Sequence, residues 1–275
     1  MIGCLRNVST VEFLLPNRVV YKLEFCKAVK DCDRRHILKL HLSIAPGQGL
    51  ETLRLGLVQA KGLKWDYFGQ NADGIGVDRR TGNAGPGASS PHAEALKEAR
   101  AKGGALVSPE RKAALRSLLR YGSYKPAGRA KPSSEYLLQA LLEEDFPQVN
   151  YFVDSINIVS LVSAYPISII DLDKAGEAFL VRRGFEGERY VFNQGGQSID
   201  LKDLLCVCRK NDQDWLPTAN PVRDSMATKL FPGASRALAF IYAPGGPEGR
   251  DLETACEQLT RYLSNAAASA EWSIL

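Results

Sequence analysis

No apolar run in this sequence approaches the ~18 residues that a membrane-crossing helix needs. The opening MIGCLRNVST lacks the basic start, apolar core and small-residue cleavage site of a secretory leader, so a cytoplasmic protein is expected. No two cysteines stand in a C-x-x-C spacing. The six are scattered as Cys4, Cys26, Cys32, Cys206, Cys208 and Cys256, and the histidines His36, His41 and His92 lie far from the Cys206/Cys208 pair. That excludes the common zinc frameworks, and no metal site is expected. Cys206 and Cys208 are two apart, on one face of a strand, and read as buried reduced thiols. Gly74 and Gly76 lack both the G-x-x-x-x-G-K-[ST] pattern and a strand–glycine–helix context, so no nucleotide-binding loop and no cofactor are expected. H-E-x-x-H, G-x-S-x-G and internal repeats are also missing, and no carboxylate is singled out as a general acid by spacing.

What is present is an ordinary globular composition, 45% hydrophobic and 24% charged, in a chain of 275 residues, long enough for a substantial core. Charge is unevenly spread. Between Leu96 and Lys131 ten basic residues face only Glu98 and Glu110, a local net of +8 in a chain whose total is +4. Such asymmetry fits a polyanionic partner, and it equally fits a solvated helix face.

Periodicity outlines an α+β chain. Val11 to Phe25 reads as two short strands. Leu38, Leu40, Leu42 and Ile44 alternate with Lys39, His41 and Ser43 as a half-buried strand, and Leu53 starts another. Residues 69–91 are Gly/Asn/Ser/Pro-rich and read as a flexible loop. Ser108-Pro109-Glu110 opens a helix expected to stop at Gly122, with Leu115, Leu118 and Leu119 buried and Lys112, Arg116 and Arg120 on another face. A second helix is expected behind a Ser133 or Ser134 cap, with Leu137, Leu138, Leu141 and Leu142 inward. A third starts near Asp154 and ends before Pro166. Strands follow around AFLVR, RYVFN, LLCVC and RALAFIYA, and an amphipathic helix at about 251–264 comes last. Strands and helices mix without regular alternation, which defines the class.

One stretch, FVDSINIVSLVSAYPISIIDLDK from Phe152 to Lys174, carries polar groups where core is expected. Asp154 occupies a helix N-cap position, and Asn157 and Ser160 follow along one face. That polar line either bonds to neighbouring backbone or borders a ligand pocket. Asp171 and Asp173 read first as turn and cap chemistry.

The combination of Pro132-Ser133-Ser134-Glu135, Leu137-Leu138, Asn150, Val153-Asp154, Asn157, Ser160-Leu161, Pro166, Asp171-Leu172-Asp173-Lys174, Arg182 and Gly187-Glu188 resembles the B3/B4 domain of the phenylalanyl-tRNA synthetase beta chain. It is most similar to free-standing proteins built from that domain, whose Arg-Asp/Gln-Ser stretch PVRDSMATK also resembles. The likeness spans about Leu106 to Ala243, with 36–275 expected as the domain and 1–35 as an extension. In the synthetase this domain hydrolyses tyrosine wrongly esterified to phenylalanine tRNA. The resemblance thus implies ester hydrolysis on a mischarged tRNA, with neither metal nor covalent nucleophile. It also implies an aminoacyl-tRNA partner, not DNA or a membrane. No ligase motifs accompany it, so a complete synthetase is not expected.

Within the resemblance, Asp154, Ser160, Asp171 and Glu188 shape the pocket, while Asn157, Ser168, Arg223, Asp224 and Ser225 are candidates to face it. Bacterial-type editing domains often carry histidine two residues after the strand proline, where this chain has Ser168. Lys112, Arg116, Arg120, Lys125, Arg129 and Lys131 are the candidate RNA contacts. A non-catalytic RNA-binding module and an amino-acid-like small-molecule binder are the alternatives.

Overall fold

Near-continuous apolar runs build the centre of the molecule, as expected of strands buried on both faces. A computed structural model describes residues 40–66 and 91–275. Strand β1 (His41–Ile44) and β2 (Leu53–Leu63) come first, then α1 (Pro91–Lys102), α2 (Pro109–Leu119), α3 (Ser133–Leu142) and α4 (Tyr151–Ser163). Strand β3 (Ile167–Asp171) runs into the short α5 (Leu172–Ala175) and β4 (Ala178–Arg183). The strands β5 (Arg189–Val191), β6 (Ser198–Asp200), β7 (Leu205–Asn211), β8 (Asp214–Ala219) and β9 (Arg236–Pro244) follow. Helix α6 (Leu252–Asn265) and β10 (Ala267–Ile274) complete the order.

The central sheet is antiparallel in the order β10-β2-β9-β3. Its Val58, Ala60, Ile167, Ile169, Ala239 and Ile241 pack against α4 and α6, while Leu55, Leu57, Ile170, Leu238, Phe240 and Tyr242 face an outer sheet. That outer sheet has the order β1-β4-β7-β8, with β1 parallel to β4. The layers are therefore helices, central sheet and outer sheet. Helix α2 bridges both cores, with Leu115 in one and Leu118 and Leu119 in the other. A separate hairpin, β5–β6, lies beside Cys206 and Cys208, both buried and free.

The α+β class is borne out, and so are β2, β4, β5, β7, β9, α2 and α6. Several details differ. Helix α4 begins at Asn150, whose side chain accepts from the Val153 N–H at 3.0 Å, and not at Asp154. Asp154 sits one turn inside and reaches back to the Val149 N–H at 2.8 Å. Neither Ser133 nor Ser134 caps α3, because Pro132 holds the N-cap position and both hydroxyls are buried without a partner. Leu142 is 55% exposed instead of inward. Helix α2 ends at Leu119, where the Arg183 guanidinium takes the Leu118 and Leu119 carbonyls at 2.9 and 3.0 Å and stops the winding. Strand β10 escapes alternation because AASAEWSI is mostly small and polar, yet it pairs along β2. The expected strands at Val11–Phe25, the loop up to residue 90 and Cys4, Cys26 and Cys32 lie outside the described residues.

Candidate functional site

Ser168 sits mid-way along β3, the edge strand of the central sheet, on the face turned to the outer sheet. It is 1% exposed. Its hydroxyl donates to the Asn220 carbonyl at 2.9 Å and lies 3.1 Å from the Tyr242 hydroxyl. Because β3 is an edge, its outward N–H groups need partners from elsewhere. Asp224 supplies one, its Oδ2 accepting from the Ile169 N–H at 3.2 Å.

The segment that carries Asp224 is organised by Asn220. The Asn220 Oδ1 accepts from the Val222 and Arg223 N–H groups, both at 2.8 Å, an Asx-type turn. Its Nδ2 donates to the Tyr190 hydroxyl, which donates in turn to the Arg223 carbonyl at 2.5 Å. Ser225 caps the following 3-10 turn, accepting from the Ala227 N–H, and is buried. Sequence and turn chemistry thus bring Ser168, Asp224, Ser225, Tyr190 and Tyr242 into one polar cluster.

The Asp224 carboxylate is the exceptional member. The residue keeps part of its surface exposed, but its Oδ1 is buried and has no hydrogen-bond partner. Burial pushes its pKa up to about 7, against the lowering effects of the Ser168 hydroxyl, the Ile169 N–H and the Lys229 cation. Burial also holds the Tyr242 and Tyr190 phenols protonated, well above their ordinary range, with the Asp224 charge adding to both. An acceptor-only oxygen among hydroxyls that cannot ionise is arranged to take a donor.

The β5–β6 hairpin covers this cluster. The Arg223 guanidinium lies 4.4 Å from the Phe192 ring centroid, and Lys229 Nζ donates to the Phe192 carbonyl at 3.2 Å. Among the described residues no carboxylate pairs with Arg223, so the Arg223–Asp224 ion pair that neighbouring residues suggest does not form. Glu188 binds Arg182 with both oxygens, at 2.7 and 2.6 Å, and takes the Phe185 N–H at 2.6 Å, fixing the turn that launches the hairpin. Gly184 in that turn has no alternative, since a Cβ there would lie 1.9 Å from the Leu201 carbonyl oxygen.

The other sequence candidates separate from the cluster. Ser160 donates to the Tyr165 carbonyl at 2.7 Å, and Asp171 caps α5 by accepting from the Asp173 N–H at 3.0 Å. Asn157 lies half-buried on α4, and among the described residues its side chain makes no hydrogen bond, to the Ser168 cluster or elsewhere. Tyr242 and Asn220 had no signal in the sequence, since neither type nor spacing distinguishes them before β3, β8 and β9 converge.

The basic candidates are not all free. Arg116 is held by Glu135 at 2.7 and 2.6 Å, with its side chain still 38% exposed. Lys112 stands 3.6 Å from the same carboxylate and is exposed, and Lys131 donates to Gln139. Arg120, Lys125 and Arg129 are exposed without ion pairs to described residues.

A family model for the B3/4 domain matches residues 124–238. The chain carries a B3/4 domain. The match is consistent with the type found in the phenylalanyl-tRNA synthetase beta chain. No curated protein matches the sequence. The B3/4 segment contains Ser168, the β5–β6 hairpin, Asn220 and Asp224, whereas β2 and β10, which complete its central sheet, lie outside it. Among the described residues no helix is long and apolar enough to cross a membrane, and no cluster of potential metal ligands occurs.

Proposed function

We propose that this protein hydrolyses the ester of a mischarged aminoacyl-tRNA, acting in trans, with the Ser168–Asp224–Tyr242 cluster as its reaction centre. The observation that carries the reading is the unpartnered, buried Asp224 Oδ1 inside a B3/4 domain. A carboxylate with a pKa of about 7 is suited to general-base work near neutrality. In this reading Asp224 takes a proton from water as the water oxygen attacks the ester carbonyl. The Tyr242 hydroxyl, held in place by Ser168, steadies the developing oxyanion, and the proton passes to the departing ribose oxygen. The hairpin pinned by Phe192 must lift for the ester to enter. The Arg223 guanidinium, held by no carboxylate among the described residues and resting on the Phe192 ring, is the candidate to orient it.

A second reading has its own support. Ser168 is already satisfied by Asn220 and Tyr242, and the cluster is closed, which suits a non-catalytic RNA-binding module.

The deciding experiment is a deacylation screen with a panel of mischarged tRNAs, with a no-enzyme control. The parent should hydrolyse at least one of them, and Asp224→Asn should lose roughly 100-fold or more of that rate. Hydrolysis of none, with tRNA binding retained, establishes the second reading instead.

A further inference from the structure

Helices α2 and α3 enclose a groove of about 330 Å³, away from the Ser168 cluster, whose walls include Val107, Lys112, Lys131, Ser134, Leu138 and Leu142. Cations gather at the end where α3 begins. Lys112 is exposed and stands 3.6 Å from Glu135, Lys131 next to Pro132 donates to Gln139, and Arg116 with its bidentate partner Glu135 forms a fixed wall. At the same end Ser134 is 4% exposed and its hydroxyl has no partner, in the first turn of a ten-residue helix. The Ser133, Glu135 and Tyr136 N–H groups of that turn already donate to the Pro221 and Pro132 carbonyls, so what an anion would meet there is the unused Ser134 hydroxyl beside the two lysines. The opposite end differs. Leu142 is 55% exposed over the apolar floor, and Glu143, Glu144 and Asp145 follow it. Phosphates are therefore confined to the Lys112/Lys131 end. Beside that end Tyr136 is 56% exposed, with Lys131 Nζ 5.5 Å from its ring centroid.

We propose that this groove holds an unpaired segment of RNA, with backbone phosphates on Lys112, Lys131 and the Ser134 hydroxyl, and bases against Tyr136 and Leu142. A duplex keeps its bases stacked inside and has no use for an exposed ring or an aliphatic floor. Cations interleaved with an aromatic face are the chemistry of single-strand binding. The proposal rests on the reading of an RNA-borne substrate, and it names where a part of that RNA distant from the ester is held. A protruding Leu142 on a water-facing helix turn also gains an explanation, because it would be covered in the complex.

Fluorescence anisotropy with a labelled single-stranded RNA oligonucleotide tests this without turnover. The parent should bind. Tyr136→Ala and Leu142→Glu should each weaken binding roughly tenfold, since both residues are exposed and their replacement leaves the core intact. Lys112→Gln with Lys131→Gln should flatten the slope of log affinity against log salt by about 1.4, two phosphate contacts' worth. Thermal melting of all variants should match the parent. The proposal is overturned if the parent does not bind, or if the variants bind as the parent does. It is equally overturned if inorganic phosphate displaces the oligonucleotide at concentrations comparable to those of the RNA itself. A protein that binds RNA through this groove but hydrolyses no mischarged tRNA would sink the ester reading and leave the groove standing.

Discussion

The Ser168 hydroxyl meets the Tyr242 hydroxyl at 3.1 Å across two paired strands of the central sheet, where neither side chain touches water. With Ser168 and Tyr242 both buried, each hydroxyl is tied to the other. Ser168→Ala strands the Tyr242 hydroxyl, and Tyr242→Phe removes one partner of Ser168, so each single change should cost about 1–3 kcal/mol. The double variant should be less destabilised than the sum of the singles, by at least about 0.5 kcal/mol. Urea unfolding of the four proteins measures this coupling, and strict additivity would show that the two hydroxyls do not share a bond.

Asp224 makes stability fall with rising pH over a definite window. Its pKa is 3.8 by default and about 7 in the fold, so the native state holds a proton that the unfolded chain has released between those values. A raised carboxyl pKa favours the protonated native form, and the contribution is lost as pH climbs from about 4 to 7. Asp224→Asn should remove that slope, narrowing the stability difference between pH 5 and pH 8. The parent's kcat/KM for deacylation should rise through about pH 7 as the carboxylate forms. A rate that does not change from pH 5.5 to 8.5 would exclude Asp224 as the base.

His92 works in the opposite sense. Its ring stacks on Tyr151 at 4.7 Å, meets Tyr262 edge-on at 5.1 Å and hydrogen-bonds the Ser155 hydroxyl at 3.0 Å, joining α1 to α4 and α6. Burial lowers its pKa to about 4. The unfolded chain therefore binds the proton first, and stability present above pH 6.5 is lost as pH falls toward 4, by up to about 3 kcal/mol. His92→Phe keeps the ring contacts and should flatten that acid limb. Denaturation midpoints measured from pH 4 to 8 would reveal it, and an acid limb as steep as the parent's assigns the effect elsewhere.

The sequence read most clearly where one local rule acts alone. Ser108-Pro109-Glu110 marks α2 because cap, proline and acid all serve the same helix end, and LRLGLVQAKGL marks β2 because its apolar residues fall on both faces of one strand. It failed where competing residues could serve the same role. Asn150 and Asp154 can both cap α4, and the chain uses the first while turning the second to the Val149 N–H. At the candidate site, Ser168 and Asp224 were legible through the B3/4 pattern. Tyr242, Asn220 and Tyr190 were not, because they come together only through long-range strand pairing. The basic stripe on α2 misled for a similar reason. Glu135, nineteen positions beyond Arg116, engages that arginine in a bidentate pair on the solvent face.

Glu188 tests how far the hairpin depends on one ion pair. The Arg182 side chain is 5% exposed, and its guanidinium spends two donors on Glu188, with further bonds to the Arg183 carbonyl at 3.0 Å and the Trp215 carbonyl at 3.2 Å. It also stacks 4.1 Å from the Phe185 ring centroid. Removing the carboxylate leaves a buried cation facing only carbonyl dipoles and the Phe185 ring, and the Phe185 N–H loses its acceptor. Breaking one side of a buried pair typically costs about 3–5 kcal/mol, far more than the pair contributes over an apolar replacement. Glu188→Ala should therefore cost several kcal/mol and loosen the β5–β6 hairpin, speeding amide exchange from about residue 185 to 200 while β9 stays protected. Replacing both partners, as Arg182→Met with Glu188→Leu, should restore much of the stability because no uncompensated charge remains. Chemical denaturation of the three proteins decides the matter. If Glu188→Ala costs less than about 1 kcal/mol, the turn is held by its backbone bonds and Gly184, and Glu188 has no part in shaping the cover over Asp224.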